Sequence, residues 1–296
     1  MNIRRRFKPG RWGCWMVVII GGLGVLLSRG SAYQSQIASR MMIAACMAAG
    51  LDLCVGIAGQ LSLGHAVFMA AGAYTCAVAT ASGLGIWMSL ILAVLIGAGG
   101  AFILGYAMMS LRGDYLAVAT LGLGEIVRVA LENTSSLGGA AGFYNIPRFT
   151  TPPFTWLLML LCLVCAVVFK QSRPGFLASA VGQDEEASMA IGINTRHAKV
   201  IALMVGATFT ALAGVLYSGL NGFISPRDFT FTRSIDMLAA VVLGGPGTIF
   251  GPMLAAMLME CFFAVFQTLS VVRMILYSLA LIVVTIIRYK KWRATS

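Results

Sequence analysis

Between Gly13 and Arg288 this chain is mostly apolar blocks, each about as long as a bilayer is thick, parted by short polar breaks. No other feature limits the fold as much. In hydrocarbon every backbone N–H and C=O must be satisfied inside the structure, so blocks of this length form transmembrane helices. Of the 296 residues 59% are hydrophobic and 10% charged, whereas a soluble domain has about 25% charged residues. The spans consume nearly the whole length, which leaves one membrane domain, 1–296, and no room for a separate soluble one.

The net charge is +11, from 21 basic and 10 acidic residues. The basic residues gather at span ends: Arg4, Arg5, Arg6, Lys8 and Arg11 at the start, Arg288, Lys290, Lys291 and Arg293 at the finish. The positive-inside rule accounts for them without nucleic acid and predicts two cytoplasmic termini. The opening resembles a secretory signal, but the rest of the chain is equally apolar, so Cys14–Leu27 reads as a retained first span. Cys162 and Cys165 form a C-x-x-C inside an apolar helix, where the spacing serves packing. His65 and His197 are too few for a histidine-based metal site.

The pattern predicts spans near 12–27, 37–58, 63–82, 86–109, 115–132, 154–170, 199–222 and 270–288. The apolar stretch 235–266 is too long for one simple span. If it crossed once, the basic C-terminus would end outside. If it enters, breaks and returns, the terminus ends inside. Gly244-Gly245-Pro246-Gly247, followed by Gly251-Pro252, supplies the break. A second Gly-rich interruption, with Gly59, Ser62, Gly64 and His65, divides the apolar run from 41 to 82. Paired interruptions in two halves are a transporter pattern, in which broken helices line a path. Small residues also simply let membrane helices approach closely, and both readings stand.

Asp52, Glu125, Arg128, Glu132, Asp236, Glu260 and Arg273 lie in or beside apolar runs, where a charge at the bilayer centre costs about 2.5–3.5 kcal/mol. Glu125, Arg128 and Glu132 share one helix face by their spacing, so Arg128 can pair with either glutamate. Such an ion pair fixes helix packing or faces a substrate path. The loop 171–198 is too polar to span. Its stretch 176–192 reads as a short helix with Asp184, Glu185 and Glu186 in the middle. An interfacial helix on lipid is one reading; three adjacent acids would be repelled by anionic headgroups, which favours a soluble partner. The chain has no H-E-x-x-H, no G-x-S-x-G and no lysine preceded by glycine, so any ATP is bound by another chain.

Four segments in order resemble the permease subunits of bacterial ABC importers for branched-chain amino acids, of the LivM-like branch. They are LDLCVGIAGQLSLGHAVFMAAGAY at 51–74, LRGDYLAVATLGLGEIVRVALEN at 111–133, AVGQDEEASMAIGIN at 180–194 with KVIALMVGATFTALAGVLY at 199–217, and GFISPRDFTFTRSIDMLAAVVLGGPGTIFGPMLAAMLME at 222–260. The resemblance implies an all-α polytopic bundle of about eight to ten transmembrane segments, some broken or re-entrant, in the inner membrane. It implies a second related permease, two cytoplasmic ATPases that carry the ATP and Mg, and a periplasmic solute-binding protein. This chain would bind no cofactor and do no chemistry. Ala180, Glu185, Ala187 and Gly192 match the family's ATPase-coupling loop. Three positions depart from the family: Asp52 stands for the usual Asn, Gly182-Gln183 for a basic-acidic pair, and 137–142 for an outer L-T-G-G-x-x-G. The solute expected is leucine, isoleucine or valine. The alternatives are urea or a short amide in the same importer class, or a stand-alone secondary transporter.

Overall fold

The structure is a computed structural model that describes residues 17–19, 21–22, 31–108, 111 and 113–265. The expected span 270–288, both basic termini, Arg112, Arg273 and most of the expected span 12–27 lie outside the described residues.

Ten helices organise residues 32–265. Ser31 is extended and its hydroxyl accepts the Gln34 N–H, which starts α1, Ala32–Asp52. One wide π-type turn, Leu53–Ile57, carries α1 to Gly59. Residues 58–65 are irregular, and α2 runs from Ala66 to Ala81. Next come α3, Ile86–Met108, and α4, Asp114–Asn133. Pro152 and Pro153 open α5, Pro152–Gln171, where a missing N–H costs nothing. The polar loop holds α6, Arg173–Gln183, and α7, Glu185–Ala190. Asn194 caps α8, Thr195–Asn221, which stops at Gly222 in the left-handed conformation. Finally α9, Phe231–Gly244, and α10, Phe250–Val265, pack on each other as a hairpin.

Among the described residues, four helices are long and apolar enough to cross a membrane: α1 with its π turn, α3, α5 and α8. The expected span 63–82 becomes the 16-residue α2, because the backbone before Ala66 is not helical. α4 is 20 residues long but carries Asp114, Glu125, Arg128 and Glu132. The single helix expected over 176–192 is in fact two. Asp184 takes an extended conformation and its carboxylate accepts the Ala187 N–H at 2.9 Å, so it caps a new helix instead of continuing the old one.

The core forms around α8, which packs against α1, α2 and α3. Lipid gives helices little hydrophobic reason to associate, so close backbone approach must hold them together. The contacts are correspondingly tight. A Cβ on Gly50 would lie 2.5 Å from the Gly206 carbonyl oxygen, and one on Gly72 would lie 1.9 Å from that of Ala211. α3 and α5 turn the other way, exposing Trp87, Leu95, Ile103, Leu157 and Val168.

The bundle has two ends. At one, α6 and α7 sit beside the end of α1's π turn, the end of α5 and the start of α8. At the other, Phe143 pairs antiparallel with Ile224, and Tyr144 lies on Phe223 with ring centroids 4.5 Å apart.

Candidate functional site

Irregular backbone inside a membrane bundle must find partners. For residues 58–65 these come from the preceding π turn, whose Leu53 and Cys54 carbonyls accept the Ala58 and Gln60 N–H groups, and from other helices. Thr120 Oγ1 of α4 accepts the Leu63 N–H at 3.0 Å, and Ser234 Oγ of α9 accepts the Ala66 N–H at 3.0 Å. The interruption is therefore held by hydroxyls 57 and 168 positions away in sequence. Gly64 lies against the Thr120 backbone, where a Cβ would come within 2.1 Å of its carbonyl oxygen. Ser62 and His65 are buried, and the His65 ring meets Phe68 edge-on at 5.4 Å. Among the described residues, none offers a hydrogen-bond partner to the buried Gln60 side-chain amide.

The second interruption is a tight hairpin turn between α9 and α10. Gly244 and Gly251 touch backbone to backbone, and a Cβ on Gly244 would lie 2.1 Å from the Gly251 carbonyl carbon. Gly245 and Gly247 have φ of 98° and 78°, and Ile249 follows at 63°. Positive φ is easy for glycine and a strain for a β-branched residue. Asp52 holds the turn in place. Its Oδ1 accepts the Gly247 N–H at 2.7 Å and its Oδ2 the Ile249 N–H at 2.9 Å. Lys170, at the end of α5, donates to the Gly247 carbonyl. Asp52 is fully buried, and its charge thus meets two amide donors and the positive field of Lys170.

The polar loop is tied to the same end. Gly182 of α6 lies against the 57–59 backbone, where its Cβ would come within 2.4 Å of the Ile57 carbonyl oxygen. Gly59, at φ 67°, faces Gly182 in return. Ala180 accepts the Asp184 N–H, and Glu185 pairs with the buried Lys199 of α8 at 2.7 Å. Ala187 receives the Asp184 cap, Glu186 is exposed, and Gly192 turns the chain out of α7 at φ 85°. Glu185 is thus engaged inside the chain and is not offered to solvent as an open acid.

On α4, Arg128 bridges both glutamates, at 2.8 Å to Glu125 and 2.6 Å to Glu132. Side-chain exposure is 23% for Arg128, 40% for Glu125 and 25% for Glu132, and only Leu116 and Ala117 of this helix are buried. The trio lies away from the Asp52 turn, and the described residues leave it partly exposed.

Sequence reasoning missed Lys170, Thr120, Ser234 and Lys199. The two hydroxyls carry no pattern signal, and the two lysines stand at the last and first positions of expected spans.

The family model described as branched-chain amino acid transport system / permease component matches residues 33–287. The chain belongs to this permease family. The match includes both broken segments, the Asp52 lock and the polar loop. The LivM high-affinity branched-chain amino acid transport system permease protein of Salmonella typhimurium is 34% identical over 280 residues, 82% of this chain and 65% of its own length. LivM of Escherichia coli is 34% identical over 79% of this chain and 63% of its own length. The permease thus spans just under two thirds of these two relatives. LivH of Salmonella typhimurium is 27% identical over 47% of the chain and 46% of its own length. A solved ABC transporter chain in an inward-facing conformation aligns over 94% of this permease and 97% of its own length, at 16% identity and a TM-score of 0.48. Family and apolar helices together make this a multi-pass membrane protein and a component of a transport system.

Proposed function

We propose that this chain is the permease subunit of an ATP-driven importer that moves branched-chain amino acids across the bacterial inner membrane. It pairs with a second, related permease; two cytoplasmic ATPases bind the ATP and Mg, and a periplasmic protein delivers the solute. Both termini are cytoplasmic, and the chain itself makes and breaks no covalent bond.

The observation that carries the reading is the seating of α6 on residues 57–59 in a chain that matches the permease family. α6 and α7 expose Phe176, Leu177 and Met189, and Ile191 just after α7 is 77% exposed. Exposed apolar side chains on a polar loop suit the groove of a soluble partner. Movement of that partner would push α6 against 57–59. Residues 57–59 lie at the far end of the π turn that follows Asp52, and Asp52 holds the α9–α10 hairpin. A stroke at the loop is thereby delivered to a broken helix inside the membrane, without any ligand-binding chemistry in the loop.

Purifying the tagged chain from its native membrane and identifying what accompanies it tests the reading. ATPase subunits and a second permease are expected. A chain that comes alone and moves solute on an ion gradient would overturn it.

A further inference from the structure

The end of α3 and the start of α8 meet on the side of the bundle that carries α6 and α7. There Arg196 lies over the Tyr106 ring, with its guanidinium carbon 3.7 Å from the ring centre, and donates to the Tyr106 carbonyl. One turn back, Phe102 stacks on Tyr106, with centroids 6.2 Å apart and 29° between the planes. Both rings are exposed, and Arg196 is half-buried. The result is a ladder of two rings and a guanidinium on the outer surface of the bundle.

We propose that this ladder binds one anionic phospholipid, with the headgroup phosphate on Arg196 and an acyl chain along the exposed face of α3. Three observations point to it. First, Arg196 is fixed in place without a counter-ion. Among the described residues no carboxylate pairs with it, and its Nε has no hydrogen-bond partner. Lys199, one turn further along α8, has Glu185. A guanidinium held by a ring and a carbonyl has little freedom left to lose when it meets a phosphate. The first turn of α8 adds the positive end of a 27-residue helix at the same place.

Second, the ladder stands at headgroup depth. Trp87, near the start of α3, is 72% exposed, and Tyr106, near its end, is 55% exposed. Between them a helix rises about 29 Å, close to the ~30 Å of a hydrocarbon core. Exposed Trp and Tyr gather at the two membrane–water interfaces. Arg196 on Tyr106 therefore lies level with lipid phosphates.

Third, the face below the ladder is built for an acyl chain. Only 28% of the most apolar stretch of α3 is buried, against 67% for α8. Leu95, Phe102 and Ile103 are exposed on the side that leads to Tyr106. Between them Gly99 leaves a gap, since a Cβ there would have nothing within 4 Å. From Leu95 to Tyr106 the helix rises about 16 Å, about the depth of one leaflet of a ~30 Å core. The side chains here are large, whereas helix–helix contacts in membranes favour small ones.

The experiment uses the full chain with its five native tryptophans replaced by phenylalanine and Phe102→Trp as the single reporter. The protein is placed in vesicles of phosphatidylglycerol and phosphatidylcholine, with bromine on the acyl chains of one lipid or the other. Bromine quenches tryptophan on contact, so the reporter reads which lipid lies beside α3. Phosphatidylglycerol should be preferred about fivefold, the scale of one basic residue against an anionic headgroup. Arg196→Gln should abolish the preference. Tyr106→Ala leaves every charge in place and should cut the preference too, which keeps the test alive if Arg196→Gln lowers the folded amount. A control reporter, Leu157→Trp on the exposed face of α5, should show no preference. Equal quenching by the two lipids at position 102, or a preference unchanged in both variants, overturns the site. So does an equal preference at position 157, which would mark diffuse surface charge, or an absence of quenching by either lipid, which would mark a face covered by protein.

Discussion

Asp52 and Ile249 stand 197 positions apart, and the carboxylate of one accepts the backbone N–H of the other at 2.9 Å. Ile249 is a β-branched residue at φ 63°, a conformation that persists only where its surroundings over-determine it. Asp52 is part of that constraint. With its second oxygen on Gly247, it fixes both sides of the turn that returns α10 through the bundle.

Asp52→Leu should therefore unfold the hairpin turn. It strands the buried Ile249 N–H and the half-buried Gly247 N–H and removes the negative partner of Lys170, and a stranded buried donor costs about 1–3 kcal/mol. Asp52→Asn keeps one acceptor oxygen and should be milder. Thermal unfolding in detergent should rank wild type above Asp52→Asn and Asp52→Asn above Asp52→Leu. Equal melting of Asp52→Leu and wild type would remove the lock from the account.

The turn itself needs glycine at Gly247. Its φ of 78° disfavours a side chain, and a Cβ there would come within 2.8 Å of the Gly56 carbonyl oxygen. Gly247→Val combines a conformational cost of about 1–2 kcal/mol with that clash. It should lower the folded protein recovered from membranes by several-fold, while Gly99→Val, at an open helical position on α3, should not. Comparable recovery of the two variants would contradict the tight turn.

On α4 one arginine serves two glutamates, so the three should not contribute independently. Glu125→Gln should be tolerated, since Arg128 keeps Glu132 at 2.6 Å. Arg128→Leu strands two acids and should be severe, and adding Glu125→Gln with Glu132→Gln should restore part of the loss. Coupled sites depart from additivity by about 0.5–3 kcal/mol. Folded yield by size-exclusion fluorescence checks this, and simple additivity across the series would show that the trio is not a unit.

Glu185 and Lys199 join α7 to α8 at 2.7 Å, with Lys199 nearly buried. Glu185→Lys puts two ammonium groups together and should swing α7 out of position, reducing ATPase recovery in a pull-down. The exchange Glu185→Lys with Lys199→Glu should recover much of it. If the exchange is as poor as the single change, Glu185 meets the partner directly and not through α7.

The hairpin in 235–266 was legible because glycine and proline leave a local mark at 244–252. The shared face of Glu125, Arg128 and Glu132 was legible because helical spacing is local too. Asp52 was visible only as a charge out of place, because its partners come from backbone 195 and 197 residues away and no periodicity encodes them. The break at Asp184 was hidden for a different reason. In an acidic run, an aspartate that caps a helix looks the same as one inside it, and only its extended backbone tells them apart.

The central claim is that this chain is the membrane path of an ATP-driven amino acid importer. Its most direct test is uptake of labelled L-leucine into proteoliposomes that hold the full chain, the subunits that co-purify with it and the solute-binding protein. The account predicts accumulation that requires ATP hydrolysis and persists when ion gradients are collapsed. Accumulation that needs an ion gradient and proceeds without ATP would contradict it.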